Sequence, residues 1–254
     1  MQLTVLGCCA GIGGMRRTTS LLLDEDILID AGSGAGELSL EQMAKVDHVF
    51  LTHAHLDHSG FVPLLADAAA FLRNRPLLVY ALNETISSLK KHMFNGELWP
   101  DYTVLPGIDA PYVRFVQVRH GVPVRLGNRR ILPLPVKHSV PAAGYCLDSG
   151  SGGFAYSGDT TDCEAFWAAL NGIENLRCLM VEVTLKNSDT HAAEKSGHMS
   201  AELLAKGLAS LRQPVQLFIT HLEPGKEEFV MDEVVSACGK FSPVRVQQGQ
   251  RFVF

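Results

Sequence analysis

The chain has 254 residues, of which 46% are hydrophobic and 19% are charged, a composition typical of a globular protein with a substantial core. Its formal net charge of −5 argues against a nucleic-acid-binding surface, because binding to the phosphate backbone requires clustered Lys and Arg. No apolar run approaches the roughly 18 residues that a membrane-spanning helix needs.

The first predicted elements are strands. A strand is predicted over residues 2–7, with no charged-then-apolar leader before it, and a glycine-rich stretch, Cys8–Gly14, follows it. Two more strands are predicted over 18–23 and 27–30, and the second ends at Asp30. The six cysteines include no Cys-x-x-Cys pair, which favours buried thiols in a reduced compartment. We therefore expect a cytoplasmic protein.

The densest group of potential ligands follows the next strand. After a helix predicted over 37–45, residues 48–52 are apolar and β-prone and predict a buried strand. Within six residues of its end lie four potential ligands: His53, His55, Asp57 and His58. A lone histidine at a strand end is usually structural, and a lone aspartate before a helix is usually an N-cap. Neither explanation covers all four side chains, and divalent metals such as Zn²⁺ prefer these ligand types. The stretch therefore predicts a metal site.

The rest of the chain alternates predicted helices and strands. Helices are predicted from residue 60 and over 83–93, 162–170, 200–209 and 227–238. Strands are predicted over 76–80, 112–118, 130–138, 144–147, 153–157, 176–184 and 215–220, and near 244 and 252. Two halves of strands and helices predict a single domain, residues 1–254, with two sheets inside and helices outside.

Several predicted strands end at a polar side chain that could bind a metal or move a proton. His138, Asp159 and Glu182 come at the ends of three strands, His221 follows a fourth, and His198 precedes a helix. Loops held by a rigid scaffold commonly carry catalytic side chains. We expect the loops at one edge of the sheets to collect ten residues: Asp30, His53, His55, Asp57, His58, His138, Asp159, Glu182, His198 and His221.

In their order along the chain, these motifs resemble the metallo-β-lactamase superfamily. The matching motifs are Asp30, His53-x-His55-x-Asp57-His58, His138, Ser157-Gly158-Asp159 and Thr220-His221. The resemblance implies an α/β fold, the αβ/βα four-layer sandwich, in which two mixed β-sheets carry helices on both outer faces.

The resemblance also implies two divalent metal ions per chain. His53, His55 and His138 would hold one ion. The other would be held by Asp57, His58 and His221, with Asp159 bridging the two. Asp30 would lie behind a ligating histidine and orient it. Zn²⁺ suits the histidines, while Mn²⁺ and Fe²⁺ are alternatives for the same nitrogen and carboxylate ligands.

Within the superfamily, the chain resembles the phosphodiesterase branches. Asp159 stands where the enzymes that hydrolyse β-lactams have a cysteine, and Glu182-Val-Thr184 and Gly197-His198-Met-Ser200 are similar to phosphodiesterase motifs. Leu56 and the stretch Phe94–Asp101 resemble the class II cyclic-nucleotide phosphodiesterases. Ser59 departs from that family, which usually carries an aliphatic residue there.

The resulting hypothesis is a metal-dependent hydrolase that converts 3′,5′-cyclic nucleotides, cAMP or cGMP, to 5′-monophosphates by in-line attack of a hydroxide held between two metals. The candidate catalytic residues are Asp57, His198 and Glu182, with His198 donating the proton to the leaving oxygen. Phe94, Asn95 and Trp99 are candidates for binding the base. The expected partners are a small cyclic nucleotide and a second copy in a homodimer, with no nucleic acid and no membrane.

Two alternatives remain open at this point. The first is a general phosphodiesterase or an enzyme similar to the tRNA 3′-processing endonucleases, which share the Glu182 and His198 arrangement. Those endonucleases also carry a Gly- and basic-rich arm, and this sequence has no such insertion. The second is a non-catalytic metal-binding protein with the same fold, which would have little use for a proton donor.

Overall fold

The structure is a computed structural model that describes residues 1–254. It contains fourteen strands: β1 Gln2–Gly7, β2 Ser20–Leu23, β3 Ile27–Ile29, β4 His48–Phe50, β5 Leu77–Ala81, β6 Val113–Gln117, β7 Val124–Leu126, β8 Arg129–Pro135, β9 Ala143–Asp148, β10 Gly153–Tyr156, β11 Leu176–Glu182, β12 Gln216–Thr220, β13 Val244–Arg245 and β14 Arg251–Val253. Its eight α-helices are α1 Leu40–Lys45, α2 Leu56–Ser59, α3 Val62–Ala69, α4 Asn83–His92, α5 Glu164–Asn171, α6 Thr190–Ser196, α7 Ala201–Leu208 and α8 Glu227–Cys238.

The strands form two seven-stranded mixed sheets. The first has the order β14-β1-β2-β3-β4-β5-β6, and the second has the order β13-β12-β11-β10-β9-β8-β7. In each sheet one half is antiparallel, and the other half is parallel: β3 to β6 in the first sheet and β10 to β13 in the second. Parallel strands place their carboxyl ends at the same edge, so both sheets present the ends of several strands to one rim.

Three hydrophobic clusters divide the molecule into four layers. The central cluster lies between the sheets and joins side chains of both, such as Phe50, Tyr145 and Phe218. A second cluster packs α5, α7 and α8 on the outer face of the second sheet. A third packs α3 and α4 on the outer face of the first sheet. This arrangement is the predicted αβ/βα four-layer sandwich. No helix in the structure combines the length and the apolar character needed to cross a bilayer.

Some local predictions were wrong. The helix predicted over 37–45 begins at Leu40, because Ser39 and Gln42 form a capping box and residues Ser33–Glu37 form a separate 3₁₀ turn. The sequence analysis missed α2, β7 and α6. The strand β7 has only three residues, and α6 is a polar helix in which Ala193 alone is buried, so neither has a hydrophobic period that would predict it.

Candidate metal centre

The rim of the two sheets collects all ten polar side chains that were expected there. Asp30 follows β3, and the stretch from His53 to His58 follows β4. His138, Asp159 and His221 follow β8, β10 and β12, Glu182 is the last residue of β11, and His198 lies between α6 and α7. The short helix α2, which starts after His55 at its N-cap, turns the side chains of Asp57 and His58 towards the second sheet.

Seven of these residues form two groups that share Asp159. The first ligand group is His53, His55, His138 and Asp159, and the second ligand group is Asp57, His58, Asp159 and His221. Within each group the potential ligand atoms all lie within 4.8 Å of one another. Two ions, each facing three protein ligands and one shared carboxylate, would satisfy such groups.

The Asp159 carboxylate faces both groups, one oxygen to each. Its Oδ2 lies 3.7 Å from His53 Nε2 and 3.9 Å from His138 Nε2. Its Oδ1 lies 3.3 Å from His58 Nε2 and 3.5 Å from His221 Nε2. In the second group Asp57 Oδ2 is 3.3 Å from His221 Nε2 and 3.6 Å from His58 Nε2. Asp159 is therefore placed to bridge two cations.

Two of the facing atoms have no hydrogen-bond partner although they are buried: His53 Nε2 and Asp159 Oδ1. An unsatisfied buried polar atom costs free energy unless something else pairs with it. In a cluster of imidazoles and carboxylates, a divalent cation supplies that missing partner. The residues present thus fit a metal centre.

Two glycines beside the ligand groups let neighbouring parts of the chain pack closely against the backbone. Gly158, next to Asp159, has φ +60°, and a Cβ there would lie 2.8 Å from Thr52 Cγ2. Gly197 has φ +80°, and a Cβ there would lie 2.7 Å from the Cα of His138. Glycine is therefore required at both positions, for conformation and for space.

Hydrogen bonds on the far side of the imidazole rings fix which nitrogen faces the centre. His58 Nδ1 donates to Asp30 Oδ2 at 2.7 Å, and His138 Nδ1 donates to the Gly197 carbonyl at 2.8 Å. His53 Nδ1 lies 3.0 Å from Thr52 Oγ1, and His221 Nδ1 lies 2.9 Å from Thr184 Oγ1. With Nδ1 as the donor, Nε2 of each ring keeps its lone pair for a cation, as second partners of ligating histidines commonly ensure.

Asp30 is a fully buried carboxylate whose contacts extend beyond His58. It also accepts hydrogen bonds from the Thr52 backbone N–H at 2.8 Å and from the Thr52 hydroxyl. Asp30 and His221 both adopt positive φ, +58° at each, a conformation that is strained for residues with a Cβ. The fold therefore holds strained backbone at two residues of this site.

Burial and neighbouring charges set the protonation states. Burial favours the neutral imidazole and lowers the pKa of His53 well below its usual range, and it also lowers the pKa of His138. Burial by itself would raise the pKa of Asp159, but the imidazoles of His221 and His58 outweigh it and lower that pKa well below the usual value. Burial thus favours the neutral, metal-binding form of His53 and His138, whereas at His58 the carboxylates of Asp159 and Asp30 outweigh burial and raise the pKa well above its usual range.

Glu182 and His198 form a pair at the margin of the two groups. His198 Nδ1 lies 2.8 Å from Oε1 of the fully buried Glu182, and its ring stacks on that of His221 with 5.7 Å between centroids. Burial opposes the charged imidazole, but Glu182 outweighs it and raises the pKa of His198 to about 9. The Thr160 N–H, at 3.0 Å, and the Thr184 hydroxyl, at 2.8 Å, also donate to Glu182. Glu182 therefore fixes the orientation of His198.

The structure does not bring the three candidate base-binding residues to this cluster. Phe94 is 2% exposed and packs edge-to-face on Phe115 in the outer core. The Asn95 side chain accepts from the backbone N–H groups of Glu97 and Leu98 and so closes a turn. Trp99 packs against the same outer core. All three come after the C-terminal end of α4. That helix has ten residues and is about 15 Å long, so they lie at the far end of it from Asn83.

Sequence reasoning gave no role to three residues that support the ligands. Thr52, Thr184 and Gly197 hold the rings of His53, His221 and His138, as described above. Each lies within two residues of an expected site residue, and Thr184 and Gly197 also belong to the motifs similar to those of phosphodiesterases.

Comparison with known proteins places this fold and this site in one family. A family model described as a β-lactamase superfamily domain matches residues 25–222, so the chain belongs to the β-lactamase superfamily. Its architecture and its cluster of histidines and aspartates are those of a metallo-hydrolase of that superfamily.

Three proteins similar to this chain share little sequence identity with it. A probable 3′,5′-cyclic-nucleotide phosphodiesterase of Yersinia pestis is 27% identical over 208 residues, covering 72% of this chain but only 59% of the relative. A ribonuclease Z of Methanothermobacter thermautotrophicus is 26% identical over 277 residues, covering 87% of this chain and 86% of the relative. Among solved structures, unliganded yeast PDE1 superposes with a TM-score of 0.82 at 16% identity, covering 100% of this chain and 99% of that one. At that identity the superposition concerns the fold alone.

Proposed function

We propose that the chain is a metal-dependent phosphodiesterase that hydrolyses 3′,5′-cyclic nucleotides, cAMP or cGMP, to 5′-monophosphates. The observation that carries the proposal is the sharing of Asp159 by two ligand groups, with the His198–Glu182 pair beside them. Sites with two metals suit in-line displacement at phosphorus, where charge changes at both the attacking and the leaving oxygen. The similarity to a probable cyclic-nucleotide phosphodiesterase supports this choice of substrate class.

The first ligand group would hold one ion and the second ligand group the other, with Zn²⁺, Mn²⁺ and Fe²⁺ as candidates. When bound, such ions neutralise charge on phosphoryl oxygens and lower the pKa of water. Asp57 is the most accessible carboxylate of the two groups, with 30% of its side chain exposed, and is the candidate to accept the proton of the attacking water.

The role of His198 follows from its position. During hydrolysis a water oxygen joins phosphorus, the bond between phosphorus and the 3′ oxygen breaks, and that oxygen must gain a proton. The Nδ1 of His198 is engaged by Glu182, so its Nε2 is the nitrogen available to donate that proton. The buried Glu182 carboxylate stabilises the charged imidazole before the transfer.

An apolar pocket at the second ligand group can receive the base. It has a volume of about 430 Å³ and is lined by Ile12, Leu56 and Phe61 together with the ligand Asp57. Ile12 and Leu56 are 72% and 71% exposed, which leaves large apolar surface uncovered beside the metal site. A nucleobase packed there would bury this surface. We therefore propose this pocket, rather than Phe94 and Trp99, as the binding site of the base.

The test is chromatography of cyclic AMP after incubation with enzyme of measured metal content. Hydrolysis to 5′-AMP alone supports the proposal, because it identifies the 3′ oxygen as the leaving group. Formation of 3′-AMP contradicts the assigned leaving group. No turnover of cyclic AMP or cyclic GMP by enzyme with two metals per chain overturns the substrate class.

A second candidate function is cleavage at RNA 3′ ends, which the extended similarity to a ribonuclease Z favours. Incubation with a tRNA precursor in the same assay distinguishes it. Turnover of an activated aryl phosphodiester excludes a binding-only protein.

We also propose that the chain forms a single hydrolase domain that acts on a small molecule and binds neither nucleic acid nor membrane. We propose further that it forms a homodimer, and light scattering of the purified protein tests this oligomeric state.

A further inference from the structure

A cleft of about 690 Å³ opens beside the first ligand group, on the side away from the apolar pocket. One wall is the segment from Val136 to Ala142, which includes the ligand His138. The other wall combines residues 117–120, at the end of β6, with the start of α4 at Asn83. This volume lies in the range of small-molecule binding sites. His138 belongs to both: its side chain is fully buried and faces the metal centre, so the cleft lies against the backbone of a metal-ligand residue.

Two cations line the cleft without a partner. Arg119 and Lys137 are exposed, and neither forms an ion pair within the structure. Seven of the other twelve arginines, Arg73 and Arg129 among them, are paired with carboxylates. The only acidic side chain in the lining is Glu84, which is exposed. The cleft is thus a positive surface on a chain whose net charge is negative.

The backbone holds Lys137 against the metal centre. Its N–H donates to Thr160 Oγ1 at 3.1 Å, and its carbonyl accepts from the Thr161 N–H at 2.8 Å. Both partners follow Asp159 directly in the chain. The position of the Lys137 backbone is therefore set by the same segment that presents the Asp159 carboxylate, so the exposed side chain of Lys137 starts from a fixed point beside the metal site.

The opposite wall is also fixed. His120 Nε2 lies 3.1 Å from the Ala142 carbonyl and ties the turn that carries Arg119 to the segment after His138. The helix α4 begins at this wall, and its N-cap, Leu82, has no side chain that could accept from the first-turn N–H groups. A helix N-terminus attracts negative charge and so adds to the attraction exerted by the two cations.

We propose that this cleft, which we call the cationic cleft, binds a second phosphate of the substrate while the scissile phosphodiester lies at the metal centre. The inference rests on the phosphodiesterase chemistry proposed above and adds a second class of substrate to the cyclic nucleotides. That class is a short linear nucleotide that carries a phosphate in addition to the scissile diester. A 3′,5′-cyclic nucleotide has one phosphate and leaves Arg119 and Lys137 without a partner.

The test compares three matched dinucleotides with metal-loaded enzyme: dTpdT, pdTpdT and dTpdTp. They share one diester and differ only by a terminal phosphate, and the missing 2′-hydroxyl excludes self-cleavage. The expected result is that one of the phosphorylated forms has a kcat/KM at least about 10-fold above that of dTpdT, as one charge-assisted hydrogen bond provides. The advantage should shrink as ionic strength rises. Equal rates for all three overturn the inference.

The double variant Arg119→Ala/Lys137→Ala should bring that ratio close to 1. The control is Arg114→Ala/Arg251→Ala, which removes the same charge from exposed, unpaired arginines outside the cleft and should keep the ratio. An unchanged ratio in the first variant, or an equal loss in both, contradicts the inference.

Two further outcomes separate this inference from the proposed function. Hydrolysis of cyclic AMP with no turnover of any dinucleotide overturns the second-phosphate site and leaves the proposed function standing. No turnover of any of these substrates, nor of an activated aryl phosphodiester, overturns both.

Discussion

The two ligand groups differ in charge although they share Asp159. The first offers three imidazoles and one carboxylate oxygen, whereas the second offers two imidazoles and two carboxylates. Behind the second group stands a further buried carboxylate, Asp30, while the rings of the first group are held by the neutral Thr52 hydroxyl and Gly197 carbonyl. The second group therefore concentrates more negative charge and depends more on a cation to neutralise it.

The difference extends to the backbone. The two non-glycine residues of the site with positive φ, Asp30 and His221, belong to the second group or support it. Strain of this kind persists only where surrounding contacts determine the conformation, and here Asp30 is held by Thr52, His58 and Tyr156. We therefore expect the nitrogen-rich first group to prefer Zn²⁺, and the second group, whose ligands are harder and whose backbone is strained, to accept a wider range of ions.

The largest effect is expected from Asp159→Asn, which removes the charge that the two groups share. Loss of that charge should leave at most one tightly bound metal per chain and lower kcat by at least about 10³-fold, the scale on which a major charge-stabilising group acts. Metal analysis after dialysis and kcat for an activated phosphodiester measure the two effects.

The control for Asp159→Asn is Asp162→Asn, three residues further along the chain, where the carboxylate pairs with Lys206 outside the site. It should keep metal content and turnover. If Asp159→Asn retained two metals, the bridging position of this carboxylate would be wrong.

His198→Ala separates proton transfer from metal binding. The ring also clusters with Glu182 and His221, but it belongs to neither of the two groups that share Asp159, and its Nδ1 is engaged by Glu182. Turnover should therefore fall by about 10²–10⁴-fold while metal content stays unchanged. The defect should be smaller for a substrate whose leaving group needs no proton, such as an aryl phosphodiester. His191→Ala, at an exposed position on α6, is the matched control. A loss of metal in His198→Ala would contradict the role of a proton donor.

Asp30→Asn tests the difference between the groups directly. Residues that orient a metal ligand typically contribute 10–100-fold in metal affinity, so affinity should fall by about that factor in the second group and remain unchanged in the first. Calorimetric titration of the metal-free protein would then show one weakened site. Asp47→Asn, which removes a carboxylate paired with Arg73 and Arg75, should leave both affinities unchanged. Equal weakening at both sites would contradict the assignment.

The sequence predicted that these histidines and aspartates would cluster, and it did so for a physical reason. Four ligands lie within six residues after one strand, so their proximity needs no knowledge of the fold. The other ligands come from three distant strands, and only the expectation that strand ends meet at one rim brought them together. The assignment of each ligand to one group came from the resemblance, not from spacing.

The substrate side could not be predicted in the same way. Phe94 and Trp99 are aromatic residues in a segment without a period, and nothing in the sequence distinguishes a core position from a pocket position there. The structure places Phe94 in the core. Conversely, Arg119 and Lys137 are isolated cations in the sequence, and they become one surface only because β6 and β8 belong to different sheets whose ends face each other.

The smallest effect is expected outside the two groups, at the ion pair between Arg16 and Glu227. Arg16 Nε lies 2.6 Å from Glu227 Oε1, and the pair joins the segment after the glycine-rich stretch to α8. The Arg16 guanidinium lowers the pKa of Glu227 to about 2. The pKa of Glu227 in the folded protein lies below the usual value for Glu of about 4.3, so the pair stabilises the folded state above about pH 4.3. This contribution to stability is lost as the pH falls towards 2.

Glu227→Gln should therefore lower Tm by about 1–3 °C at neutral pH, since partly exposed pairs contribute little. The difference from the unsubstituted protein should vanish as pH approaches 2. Metal content and turnover should not change, because neither residue belongs to a ligand group. Glu228→Gln, which removes a more exposed partner of Arg245, should show a smaller shift and serves as control. A Tm difference that is the same at every pH would show that Glu227 acts through packing rather than charge.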